Sequence, residues 1–194
     1  EARHIPFARL GSNASGAGFD ILMEDARAAG AATEHLLSLG HRRIGFITGS
    51  DEYALSGARL AGYRSAMRAA GFDKEAGLVA RGDFTFPSGV EATKFLLKRG
   101  APATAIVASS DQMALAALRV ARAAGLEVPR ELSIVSFDDT PIVKFSTPPL
   151  TAIRQPIAAM TACAADLLIR AANGEPTGDA PAILPFELIV REST

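Results

Sequence analysis

A chain of 194 residues, 48% hydrophobic and with a mean hydropathy of +0.19, is long enough for one or two domains and apolar enough for a real core. Twenty basic against twenty-one acidic residues leave a net charge of −1, which excludes the basic footprint of a nucleic-acid-binding surface on this chain, and the lone Cys163 excludes an intrachain disulfide. No apolar stretch reaches the ~18 residues a membrane-spanning helix needs, and no basic-then-apolar leader opens the chain, so the cytoplasm is the expected compartment.

In chain order, 4–10 reads as a short strand, 11–18 as a loop of small residues and 19–23 as a second strand. Helical spacing then runs over 25–39: Asp25 is a capping type, Leu36, Leu37 and Leu39 form an apolar stripe, and Gly40 closes it. From there strands at 43–48, 78–81, 104–108 and 132–137 alternate with helices near 57–70, 87–99 and 111–124. A further helix is expected over 156–173, and the four helices end at or near Gly71, Gly100, Gly125 and Gly174. Near-continuous apolar strands alternating with amphipathic helices predict an α/β fold, a parallel sheet covered on both faces in three layers. Residues 140–149 are too proline-rich for helix or central strand and read as a hinge or interface. A strand at 150–154 precedes the long helix, and a last strand is expected over 183–190. Two strands open the chain with no helix between them, so part of the fold is expected to be absent ahead of them.

Four times an apolar strand ends in polar residues: Gly49-Ser50-Asp51, Asp83-Phe84, Ser109-Ser110-Asp111 and Asp138-Asp139. In an open α/β sheet, ligands sit beyond the carboxyl ends of the parallel strands, so all four clusters are expected to face one cleft. Arg59, early in a helix behind the first strand end, offers a rigid five-donor fork to vicinal hydroxyls or a carboxylate, and Asp138 is its complementary acceptor. The alternative is that Arg59 and Asp138 pair with each other, or with Asp139, on the surface. Phe84 follows a strand within a polar loop and suits stacking on a sugar or base, while Phe86 suits the helix–sheet interface. Ser110 and Asp111 stand where a strand becomes a helix, with Asp111 the expected N-cap.

The spacing of His4, His35 and His41 suggests no metal site, and each is expected to be structural. Asp138-Asp139 also permits a phospho-accepting carboxylate, which would need Mg²⁺ and further acids on neighbouring strand ends. Neither common glycine-rich phosphate loop is present.

The stretch 34–47, Glu-His-Leu-Leu-Ser-Leu-Gly-His-Arg-Arg-Ile-Gly-Phe-Ile, resembles a characteristic block of the lac repressor and galactose repressor (LacI/GalR) family of bacterial transcription regulators. Similar blocks follow in the same order at 59–63, 82–84, 110–114, 133–139 and 148–156. The resemblance implies a core built like type I periplasmic binding proteins, with 24–154 and 183–194 as its C-terminal lobe. Residues 1–23 would be a remnant of the N-terminal lobe, and 155–182 a return segment to it.

The same resemblance puts Arg59 and Asp138 on effector-clamping positions, Phe84 on a stacking position and Ser110 on a polar contact that is often asparagine. It places Arg9 where several sugar-binding relatives carry an acid, so an acidic sugar or phosphate stands beside a neutral sugar as ligand. Gln155 falls at the crossover back to the first lobe. The implied partners are a small-molecule effector of carbohydrate type, a second copy in a homodimer, and operator DNA through a helix-turn-helix domain that this chain lacks. No cofactor, metal, membrane or catalysis is implied. The alternative is a periplasmic sugar-binding protein of a transport system.

Overall fold

Every residue of 44–47 and 105–108 is buried, and so are five of the six over 133–138. Strands enclosed on both faces are near-continuously apolar rather than alternating, which is how these runs read apart from the buried Ser133 and Ser136. The computed structural model describes residues 5–11, 18–72, 78–98, 100, 102–178 and 180–194; His4 and the small-residue loop over 12–17 lie outside them.

The elements are β1 (Ala8–Leu10), β2 (Phe19–Met23), α1 (Asp25–Ser38), β3 (Ile44–Ile47), α2 (Ala54–Ala69), β4 (Val79–Ala80), α3 (Phe86–Leu97) and β5 (Ala105–Ala108). There follow α4 (Asp111–Ala123), β6 (Ser133–Asp138), α5 (Pro141–Lys144), β7 (Thr151–Arg154), α6 (Ile157–Ala172), β8 (Ala182–Leu184) and β9 (Glu187–Ile189). They divide into a smaller unit, Glu1–Glu24 with Gln155–Phe186, and a larger one, Asp25–Arg154 with Glu187–Thr194.

The larger unit holds a six-stranded sheet in the order β4-β3-β5-β6-β7-β9, parallel except for β9. Side chains of successive strand residues point to opposite faces. Phe46 accordingly stacks on Tyr63 of α2 with ring centroids 5.0 Å apart, while Ile47 joins Leu96, Ile106, Met113 and Ile134 in the core beneath α3 and α4. The α1–α2 contact depends on a missing side chain: a Cβ on Gly62 would lie 1.9 Å from the Ala26 carbonyl oxygen. The end of the chain is sewn into the sheet, because Ser193 is fully buried, donates to the Ile134 carbonyl at 2.6 Å and accepts from the Thr151 amide at 2.8 Å. His41 bridges the residue before β5 and the first residue of β6, with Nδ1 3.0 Å from Thr104 Oγ1 and Nε2 3.0 Å from Ser133 Oγ.

The smaller unit is a three-stranded parallel sheet, β1-β2-β8, whose core sets Ile21 against Met160 and Ala164 of α6.

Three expectations are corrected. The proline-rich stretch 140–149 does hold a helical turn, α5, because Pro141 stands in its first turn, where its fixed φ suits the helix and its missing N–H has no partner to lose. The strand expected over 183–190 is two strands in two sheets, β8 parallel to β2 and β9 antiparallel to β7, interrupted at Pro185-Phe186. Residues 183–186 therefore stay with the smaller unit instead of joining the larger. Finally, α2 begins at Ala54, three residues before the expected 57.

Candidate functional site

Strands β4, β3, β5 and β6 are neighbours and all parallel, so their carboxyl ends line one edge of the larger unit's sheet. Loops carrying Phe84, Gly49, Ser110 and Asp138 leave that edge. Two of the loops hold strained backbone: Phe84 has φ 71°, Asp138 φ 104° and Asp139 φ 60°. Side chains rarely adopt positive φ, and such residues persist only where their surroundings hold them, often at binding sites.

Arg59 sits in the second turn of α2 and is 2% exposed. Its Nε donates to Asp25 Oδ1 at 2.7 Å, its Nη1 to the Ser109 carbonyl at 2.8 Å, and its guanidinium carbon lies 3.9 Å from the Phe137 ring centroid. The surface-pair alternative for Arg59 is thereby corrected, since the side chain is interior and paired with Asp25 at the start of α1.

Asp138 and Asp139 diverge. Asp138 is half-buried, and its Oδ2 accepts from the Asp111 amide at 3.4 Å. The Asp139 carboxylate is fully buried between Arg154 Nε at 2.8 Å and Arg191 Nη2 at 2.6 Å, which ties the end of β6 to β7 and to the chain's last residues. A buried carboxylate requires such partners. Asp111 adds a brace: its carboxylate accepts from Ser136 Oγ at 2.5 Å, Thr140 N–H at 2.7 Å and Thr140 Oγ1 at 2.6 Å, one residue on each side of the Asp138-Asp139 pair.

The N-cap of α4 is Ser110 and not Asp111. The Ser110 hydroxyl accepts from the Met113 amide at 3.3 Å and donates to the Phe84 carbonyl at 3.4 Å, so it joins two loops of the site. The Phe84 ring lies over Gly49, where a Cβ would come within 1.8 Å of its Cζ, and meets Tyr53 edge-on with centroids 5.8 Å apart. Asp83 beside it accepts from the Thr85 amide and hydroxyl, and hydrogen bonds from Ser88 and Thr85 hold its carboxyl below the usual range. That carboxylate fastens the start of α3. Thr48 Oγ1 and Ser56 Oγ are buried at this edge without a protein partner among the described residues.

Arg9 and Gln155 belong to the smaller unit. Arg9 Nε donates to Asp20 Oδ1 at 2.6 Å, and the guanidinium lies 5.3 Å from the Phe7 ring centroid; its pKa is raised by the hydrogen bond to Asp20. Gln155 is half-buried.

Tyr53 and Asp25 escaped the sequence reading as members of this cluster, and so did the partners of Asp139, Arg154 and Arg191. Tyr53 carried the same signal as Phe84, an aromatic in a polar loop between strand and helix. Asp25 read only as a cap, and the pairing of Asp139 was visible merely as a charge beside Asp138. No group of three metal-ligating side chains is found among the described residues, and no helix is long and apolar enough to cross a membrane.

A family model described as a periplasmic binding protein-like domain matches residues 33–194. The transcriptional regulator CelR of Thermobifida fusca is 43% identical over 162 residues, 84% of this chain and 48% of that protein. A solved CelR–cellobiose complex superposes with a TM-score of 0.90 at 37% identity, covering 97% of this chain and 59% of the other. A regulatory protein of the LacI family from Chloroflexus aggregans gives 0.88 at 34% identity, covering 97% and 68%. The chain spans about half the length of the curated relatives it matches. With a matching domain over most of its length and a family regulator as structural counterpart, the chain belongs to the LacI family of transcriptional regulators.

Proposed function

We propose that this chain is the effector-binding part of a regulator whose DNA affinity depends on a carbohydrate or carbohydrate derivative, held at the strand-end edge of the larger unit. The observation that carries this reading is the gathering of a forked donor, a carboxylate acceptor and an aromatic ring at the carboxyl edge of one parallel sheet: Arg59 early in the helix after β3, Asp138 at the end of β6 and Phe84 on the loop after β4. Sugars need that set: bidentate donors and acceptors for vicinal hydroxyls, and a ring for their apolar C–H face. Two of the five Arg59 donors hold protein groups, which leaves others for ligand oxygen. Similarity to a regulator solved with cellobiose favours a neutral oligosaccharide as the first class to try.

In this reading Phe84 and Tyr53 form the aromatic wall, and Ser110 contributes chiefly by holding the Phe84 loop. Residues 25–154 and 187–194 form the C-terminal lobe, and Arg9 and Gln155 belong to the other unit. The site binds and does not catalyse, and the regulator works in the cytoplasm, where operator DNA is bound by a helix-turn-helix domain outside this chain. Ligand acts by favouring one arrangement of the protein over another, which shifts DNA affinity by linkage. A second copy docks on the face bearing Ile142 and Phe145, which are 54% and 84% exposed.

A thermal-shift titration with cellobiose, glucuronate and glucose 6-phosphate decides the ligand class, because a ligand of the native state raises the melting point with concentration. A rise with at least one, abolished by Asp138→Asn, is expected. A flat response to all three would remove the sugar assignment.

A further inference from the structure

The chain passes between its two units at three places, after residues 24, 154 and 186. On the larger-unit side of each crossing stands a charged residue: Asp25, Arg154 and Glu187. Asp25 takes the Nε of Arg59 at 2.7 Å. Arg154 donates to Asp139 at 2.8 Å and to Glu187 at 3.0 Å. The bonds from Asp25 and from Arg154 to Asp139 thus end on Arg59 itself and on the residue after Asp138, while the third joins two crossings to each other.

Backbone pairing of β7 with β9 already joins Arg154 to Glu187 across the sheet, so the added bond from Arg154 to Asp139 is not needed to close the ladder. It runs instead to the loop whose backbone is held at positive φ. The Arg59 guanidinium is planar and rigid, so any ligand oxygen that draws on its remaining N–H groups acts on the same fork that holds Asp25. The Asp25–Arg59 bond responds to such sharing, since its side chains are only 12% and 3% exposed and little water screens it.

We infer that Asp25 and Arg154 are positioning residues of the site, and that ligand occupancy is registered at the chain crossings through the Asp25–Arg59 and Arg154–Asp139 ion pairs. This rests on the reading of Arg59 and Asp138 as ligand-holding groups. Coupling is reciprocal: whatever ligand does to the Asp25 bond, loss of that bond does to ligand affinity.

Hydrogen exchange on the 194-residue chain, with and without saturating cellobiose, reads this directly. Support is slower exchange at 24–26 and 153–155 together with the strand ends at 109–111 and 137–139. In Asp25→Asn the response at 24–26 disappears and cellobiose binds about fivefold more weakly, whereas Asp25→Glu, which restores the charge, recovers both. Slower exchange confined to 109–111 and 137–139 overturns the inference and leaves the ligand reading standing. If cellobiose changes exchange nowhere, the ligand reading fails for that sugar and the ligand-free chain decides. Arg59→Lys, which keeps the charge but loses the fork, then speeds exchange at 24–26 and leaves 132–136 unchanged; no change at 24–26 overturns the inference.

Discussion

The guanidinium of Arg59 lies 3.9 Å from the ring centroid of Phe137, the residue that leads into Asp138. Donor and acceptor of the candidate site are thereby linked through one aromatic ring, and Arg59 also supports the interior through Asp25 and the Ser109 carbonyl. Replacing it with alanine removes a nearly buried pair and leaves Asp25 without that cation. The expected loss of stability is about 3 kcal/mol, read by urea unfolding. Arg59→Lys keeps most of that stability, because charge remains, yet loses the stacked fork. A stability in Arg59→Ala equal to that of the parent chain would show that the pair contributes nothing.

Gly49 is an indirect probe of the aromatic wall. Its φ is one that alanine tolerates, but the added methyl would occupy the place of the Phe84 ring. Gly49→Ala therefore moves Phe84 rather than the strand. Sugar affinity falls about tenfold, near 1.4 kcal/mol, while the melting point drops by only a few degrees; titration calorimetry beside a thermal melt separates the two. Affinity preserved in Gly49→Ala would take Phe84 out of the site.

Much of this was legible beforehand, for a physical reason. A strand covered on both faces is apolar at nearly every position, so 44–47, 105–108 and 133–137, the last with Ser133 and Ser136 as hydrogen-bonded exceptions, announce themselves without help from the rest of the chain. Their polar endings follow from topology, which is why Phe84 and Asp138, with Arg59 on the helix that follows β3, stand out in the sequence as candidates. What stayed hidden depends on distant partners. Residues 183–190 look like one apolar strand, and the division into β8 and β9 is made by pairing with β2 and β7. Ser110 and Asp111 are both capping types one residue apart, and only the helix register chooses between them. The bond from Asp25 to Arg59 spans 34 residues and leaves no local trace.

Acid should loosen the larger unit from the edge opposite the site. Burial lowers the pKa of His41 from its ordinary 6.5, with the charge of His35 adding to the effect, and burial likewise lowers that of His35. A histidine that binds its proton less well when folded favours the folded state fully above about pH 6.5 and loses that contribution as pH falls from there through the folded value. His41 has hydroxyl partners on both ring nitrogens, and His35 Nε2 contacts Thr194 Oγ1 at 2.9 Å. Urea midpoints taken downward from neutral pH should therefore fall, and fall less in His41→Gln. An identical pH slope in the variant would assign the effect elsewhere.

Ser56 offers the opposite sign. Its hydroxyl is buried in α2 with no protein partner among the described residues, and serine is the poorer helix former. Ser56→Ala should raise stability by about 0.5–1 kcal/mol. A loss of that size instead would reveal an ordered water holding the hydroxyl.

The carboxylate of Asp138 is the acceptor on which the ligand reading turns, and one calorimetric comparison reaches it. The chain and its Asp138→Asn variant, which is nearly the same in shape, are titrated with cellobiose, glucuronate and glucose 6-phosphate. The account predicts saturable binding of at least one by the parent chain and at least tenfold weaker binding, about 1.4 kcal/mol, in the variant. Binding of undiminished strength in Asp138→Asn, or none of the three bound by the parent, would contradict it.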